Sequence, residues 1–158
     1  MSSERDLLRH TVAVVAYRGG KALHGAPASF AEFKQGTTTR TPVRILAHIN
    51  DLYDWALSLA KGHERWRDST PGAWEAEVTR FFVALNAFDD YLASAAPLAM
   101  SAERLFQGPV ADSLTHVGQL TMLRRLAGSP VKGENYAKAD IVVGRVGPAQ
   151  SGSVTEFD

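Results

Sequence analysis

Two histidines and an aspartate are the residues of this chain whose types and spacing could do chemistry. Asp112 and His116 stand four apart in the stretch "DSLTHVGQL", and His48 lies within "PVRILAHINDLYDWALSLA". If both stretches are helical, successive side chains turn by about 100°, so residues four apart point within about 40° of each other. Asp112 and His116 then share one face, with Pro109, Leu120, Leu123 and Ala127 around His116. His48 falls within roughly 60° of Ile45, Leu52, Trp55 and Leu59, in the middle of an apolar stripe. Burying such groups separately costs several kcal/mol unless each is hydrogen-bonded, paired or bound to metal. If the two helices pack on each other, one divalent ion satisfies all three. Two neutral imidazoles and a carboxylate suit Zn²⁺, Ni²⁺, Mn²⁺ or Fe²⁺. Three protein ligands also leave coordination positions for water or a substrate, the minimum equipment for chemistry.

A plainer reading competes, in which His48 is a hydrogen-bonded core histidine and Asp112–His116 is a surface ion pair. His10 shares a stripe with Leu7, Val14 and Tyr17, lacks a polar companion one turn away, and is expected in the core. His24 and His63 fall in connections and are expected in solvent. Asp51 and Asp54 are candidates to orient His48 or to stand on a solvated flank. Tyr53, Asp51 and Tyr136 are the candidates for a general base. Trp55, Trp66 and Trp74 are expected to serve packing.

These residues need helices to position them, and four segments carry a 3.6-residue period. The first covers about 6–23, through Leu7, Leu8, Val12, Val15 and Tyr17. The second starts at Thr41-Pro42, a capping Thr before a Pro at the first helical position, and continues to about Lys61. The third opens in the same way at Thr70-Pro71. Along it Trp74, Val78, Phe81, Leu85, Phe88 and Leu92 follow the 4-3-4-3-4 spacing of a buried seam. The fourth runs from Pro109 to Leu126, stopped by Gly128 and Pro130 and preceded by a short helical lead-in that Gly108-Pro109 should break.

The expected fold is therefore all-α: an antiparallel four-helix bundle over 1–128, with a long first crossover connection at 24–40. Residues 129–158 are Gly-, Pro- and Ser-rich and form an extended, partly mobile C-terminal tail packing on the bundle. Within it, 139–146 is expected as a short strand or an extended arm.

At 158 residues the chain fits one domain able to bury roughly 70% of its unfolded surface. Its 17 basic and 17 acidic residues cancel, which disfavours nucleic acid and anionic membrane as partners. Cys is absent, excluding disulfides, thiolate metal ligands and cysteine nucleophiles. No secretory leader pattern is evident, and no apolar run approaches the roughly 18 residues of a membrane span. A cytoplasmic protein is expected.

The two stretches quoted above resemble the DinB/YfiT-like superfamily of bacterial metal-binding four-helix bundles. "PVRILAHINDLYDWALSLA" is similar to the family's second helix with its inward histidine. "DSLTHVGQLTMLRRLAG" resembles the fourth-helix pattern of His-x-x-x-His, x-Gly-Gln and a Leu-Arg-rich turn. The likeness covers most of residues 1–128 by helix order, with specificity only in these stretches. It implies a metal triad on His48, Asp112 and His116. Asp112 departs from the pattern, standing where the family usually has histidine. A harder, anionic ligand shifts preference toward Mn²⁺ or Fe²⁺, and its shorter side chain could reach the ion through water. Family members with known activity act as thiol-dependent transferases and isomerases on mycothiol, bacillithiol or glutathione. The resemblance thus implies a small-molecule enzyme using a metal-activated thiol, or a metal-assisted hydrolase; the alternative is a non-catalytic metal- or ligand-binding stress-response protein. A homodimer is a further expectation for bundles of this size. Asn135 and Tyr136, in the tail, are expected to fold back toward the mouth of the site.

Overall fold

Charges and glycines at the helix ends set the boundaries of the four long helices in the computed structural model, which describes residues 3–157. Helix α1 spans Ser3–Leu23, with Glu4 and Asp6 in its first turn and Lys21 in its last, complementing the helix dipole. Helix α2 spans Pro42–Ala60, with Pro42 in the first turn. It closes on Gly62 at φ +80°, where the Gly62 and His63 N–H groups donate to the Leu59 and Ser58 carbonyls. Helix α3 spans Trp74–Ala93. The short helix α4, Ala102–Leu105, leads through a π-helical turn at Phe106–Val110 into α5, Ala111–Leu126. Gly128, at φ +78°, ends α5 by the same geometry as Gly62, with its own N–H on Arg125 and the Ser129 N–H on Arg124.

Two expected boundaries move. The third helix opens at Trp74 rather than Thr70-Pro71, because Glu77 reaches back from the first turn and accepts the Gly72 N–H at 2.8 Å. Gly108-Pro109 does not break the chain's helical course. Proline has no N–H to give, and the widened turn lets the Ala111 N–H bond the Phe106 carbonyl instead.

The fold is predominantly helical, with one two-stranded sheet among the described residues. Helix α2 packs against α3 and α5, and α1 packs against the same two helices. Val12, Val15, Leu46, Ile49, Leu85, Phe88, Leu92 and Leu120 are fully or almost fully buried between them. Gly19 lets α1 approach α3: a Cβ there would lie 2.5 Å from the Phe81 ring. That approach turns Leu8, Val12, Ala16 and Gly19 inward. His10, expected in the core, is consequently exposed, as is Leu7. His24 and His63 are exposed as expected.

The long connection carries a 3-10 turn at Ala28–Phe30, whose Phe30 is buried against Trp74 at 5.5 Å between ring centroids. Arg124 of α5, itself buried, donates to the carbonyls of Ala22 and His24 and so ties the end of α1 to α5. In the tail, β1 (Gly133–Glu134) pairs antiparallel with β2 (Glu156–Phe157), Gly133 opposite Phe157 and Glu134 opposite Glu156. Residues 139–146 form no strand. Glu134 is buried under the tail, where Tyr17 Oη and Lys21 Nζ of α1 and the Val154 N–H all donate to it. No helix among the described residues is long and apolar enough to cross a membrane.

Candidate metal centre

Contact between α2 and α5 brings His48, Asp112 and His116 together at the edge of the seam. Each offers one ligand atom, and these atoms all lie within 4.8 Å of one another. Asp112 stands between the imidazoles, Oδ2 lying 3.7 Å from His48 Nε2 and Oδ1 lying 3.4 Å from His116 Nε2. The rings meet edge-on, 4.7 Å apart at 85°. All three groups are half-buried rather than set in the core: side-chain exposure is 21% for His48, 13% for His116 and 46% for Asp112. The inward position expected from helical arithmetic becomes a cleft position.

The donor set fits a divalent ion. Separations of 3.4 and 3.7 Å are too long for good hydrogen bonds between these groups. Ligand bonds of about 2.0–2.2 Å to one ion place neighbouring donor atoms roughly 3–3.5 Å apart, close to these spacings. His116 is also held in the required tautomer. An amide oxygen can only accept, so Gln119 Oε1, 3.0 Å from His116 Nδ1, fixes the proton there and leaves the Nε2 lone pair toward Asp112. Burial pushes the His48 imidazole pKa below its ordinary value. The charges of His116 and Arg40 push the same way, against Asp112 and Asp51. A neutral imidazole is the ligand form, so this shift favours metal.

The scaffold under the triad is polar and closed. Tyr53 Oη and Ser113 Oγ hydrogen-bond at 2.9 Å in the buried α2–α5 contact, and Ser113 donates on to the Val110 carbonyl. This pins Asp112's helix to His48's helix one residue from Asp112. Asp51, 2% exposed, accepts from the Ser69 backbone and hydroxyl and pairs with Arg80, which also holds Asp54. These aspartates anchor the loop after α2 and do not bond His48; of the two expected alternatives Asp54 takes the solvated flank, while Asp51 is buried in neither role. The same loop carries Trp66, whose ring meets His48 at 5.8 Å and Trp55 at 5.8 Å. Trp74 packs in the core as expected, but Trp66 lies against the His48 ring.

Two cavities flank His48. One of about 610 Å³ is lined by Arg40, Ile45, His48, His116, Gln119 and Leu123 among others. The other, of about 370 Å³, runs along Arg40, Arg44, His48 and Asp51 toward the loop at Asp68–Pro71. Asn135 and Tyr136 line neither. Tyr136 lies on α1, edge-on to Tyr17 with Arg18 stacked 4.3 Å from its ring, and Asn135 caps its own turn through the Ala137 N–H. The tail is drawn to α1 by Glu134, so the expected reach to the site is replaced by a contact elsewhere.

Sequence reasoning named the three candidate ligands and missed Gln119, Arg40 and Trp66. Gln119 carried a signal, since an i,i+3 partner of a ligating histidine is its natural hydrogen-bond acceptor. Arg40 and Trp66 are in loops, where no periodicity points. Compared with known protein families, with curated proteins and with solved structures, the chain matches none.

Proposed function

We propose that this chain is a DinB-like four-helix metalloprotein that binds one divalent ion through His48, Asp112 and His116 and serves a thiol-dependent transfer or isomerisation of a small molecule. The observation that carries the reading is the convergence of three ligand atoms from two helices, with Gln119 holding His116 in its ligating tautomer. A bound divalent ion supplies Lewis acidity that lowers the pKa of a coordinated thiol or water. The chain's own residues supply the rest. His48 and His116 present imidazole nitrogens, Asp112 supplies a carboxylate, Trp66 packs edge-on against the His48 ring, and Ile45 and Leu123 line the adjoining cavity.

Thiol chemistry is better supported than hydrolysis. Hydrolysis by a metal-bound water gains rate from a positioned base. Tyr53 is fully buried and bonded to Ser113, Asp51 is engaged by Ser69 and Arg80, and Tyr136 lies on α1. A thiol whose acidity is raised by the ion needs no such base. The same lack of a base favours, as a second reading, a bundle that binds metal without turnover. The two separate in an assay of the metal-loaded protein with low-molecular-weight thiols and a panel of electrophiles. The enzyme reading expects turnover that falls at least 100-fold in His48→Ala and on chelation. Turnover no higher than that of His48→Ala, in protein that does bind metal, leaves only the binding reading.

A further inference from the structure

The larger cavity beside the triad has a pronounced asymmetry. Its apolar wall is Ile45, Met122, Leu123 and Leu126, of which Met122 and Leu126 are 57% and 51% exposed. Its polar side is Gln35, Thr39, Arg40 and Gln119, with the two imidazoles at the inner end. Arg40 is the one charged side chain other than histidine on this wall, and no acid lines it. Among the described residues Arg40 makes no hydrogen bond or ion pair, in contrast to Arg80, Arg124 and Arg145, which are all engaged. Arg40 also borders the smaller cavity on the other side of His48, together with Arg44. Its charge is felt at His48, where it disfavours the imidazolium.

An unpaired guanidinium facing a cavity without acids is a ready carboxylate partner, because its planar fork matches both carboxylate oxygens. The exposed aliphatic wall beside it would hold a chain of several methylenes, whose removal from water favours binding. A cavity of about 610 Å³ lies within the ordinary range for small ligands. With a divalent ion in place, the positive charge rises further and Asp112 offsets only part of it.

We infer that the cavity between α2 and α5 takes an aliphatic carboxylic acid as its small-molecule ligand, with Arg40 binding the carboxylate and Ile45, Met122, Leu123 and Leu126 holding the alkyl chain. This names the substrate class of the site under the proposed function, yet Arg40 acts without the ion, so the two can fail separately. The test uses the full chain stripped of metal with EDTA, so that a carboxylate cannot bind through an ion. Octanoate, octanamide and acetate are titrated by calorimetry into wild type, Arg40→Gln and Met122→Ser. Both substituted positions are exposed, and thermal melts of the variants verify folding. Octanoate is expected to bind at least tenfold more tightly than octanamide or acetate. Arg40→Gln should abolish the preference for acid over amide, and Met122→Ser should weaken octanoate severalfold while leaving that preference intact. Equal binding of octanoate and octanamide, no octanoate binding, or an unchanged preference in Arg40→Gln overturns the inference. If Arg40-dependent binding is seen in a protein that takes up no metal, the inference stands and the metalloprotein reading falls.

Discussion

Two carboxylates, Asp112 and Glu134, show how differently this fold surrounds a carboxylate that it closes and one that it leaves open. Glu134 has a side chain with 0% exposure and is satisfied by Tyr17 at 2.8 Å, Lys21 at 2.9 Å and the Val154 N–H at 3.3 Å. Its partners come from α1 and the tail, and nothing further can bind. Asp112 is 46% exposed and faces two imidazole nitrogens at distances too long for good hydrogen bonds. One carboxylate is closed by donors from its own chain, and the other, with one long contact from the Thr115 hydroxyl at 3.4 Å, faces two imidazoles that a cation would join to it. Buried polar groups demand partners, and the shortfall at Asp112 is tolerable only because the cleft is open to water.

The largest effect expected from this contrast is on stability. Glu134→Ala removes the acceptor for Lys21 and Tyr17 under the tail and should lower unfolding free energy by about 3 kcal/mol, read as a lower urea midpoint. Asp112→Ala in metal-stripped protein should change it by no more than about 0.5 kcal/mol. Equal losses at the two positions would break the comparison.

Ligand linkage gives the next effect. Metal at a hundred times its dissociation constant should stabilise wild type by about 2.7 kcal/mol. Glu134→Gln should keep that increment and His116→Ala should lose it, which thermal melts with and without metal will show. A smaller change is expected at the hydrogen bond behind the ligand. Gln119→Leu leaves His116 without its acceptor and should weaken metal binding about tenfold while preserving stoichiometry. Competition with a chromogenic chelator measures it.

The smallest effect is in pH dependence. Burial alone would raise the Glu134 pKa, but the hydrogen bonds from Lys21, Tyr17 and the Val154 backbone outweigh it and hold the carboxyl below its ordinary value of 4.5. The unfolded chain therefore takes up this proton first. Glu134's contribution is complete above the ordinary carboxylate value and lost as pH falls through the folded one. The His48 imidazole, held below its ordinary 6.5 chiefly by burial, also favours the unfolded chain on protonation. In metal-free protein, stability should therefore begin to fall below about pH 6.5 from His48, and fall again below 4.5 from Glu134. Urea titrations across this range on His48→Gln and Glu134→Gln should each remove one limb.

How far the sequence could carry these conclusions depended on the range of the interactions. The triad was legible because Asp112 and His116 are related by one helical turn and His48 by a second amphipathic stretch. The helix end at Gly128 was legible for the same local reason. His10 was misplaced because the close approach at Gly19, set by Phe81 on another helix, decides which stripe of α1 is buried. The start of α3 depended on Glu77 reaching back to Gly72, and the course of the tail on Tyr17 and Lys21 meeting Glu134 across more than a hundred residues. Trp66 was invisible as a site residue because the Asp51–Ser69–Arg80 contacts, not its neighbours in sequence, bring it to His48.

Metal content is the most direct test of the central claim that His48, Asp112 and His116 form one divalent-ion site. Elemental analysis of untagged protein, purified without added metal or chelator and then titrated with Mn²⁺, Fe²⁺, Ni²⁺ and Zn²⁺, reads it without any choice of substrate. The expected result is one ion per chain, lost in His48→Ala and His116→Ala and retained in Glu134→Gln. Protein that takes up none of the four ions, or that binds equally well when His116 is replaced, would contradict it.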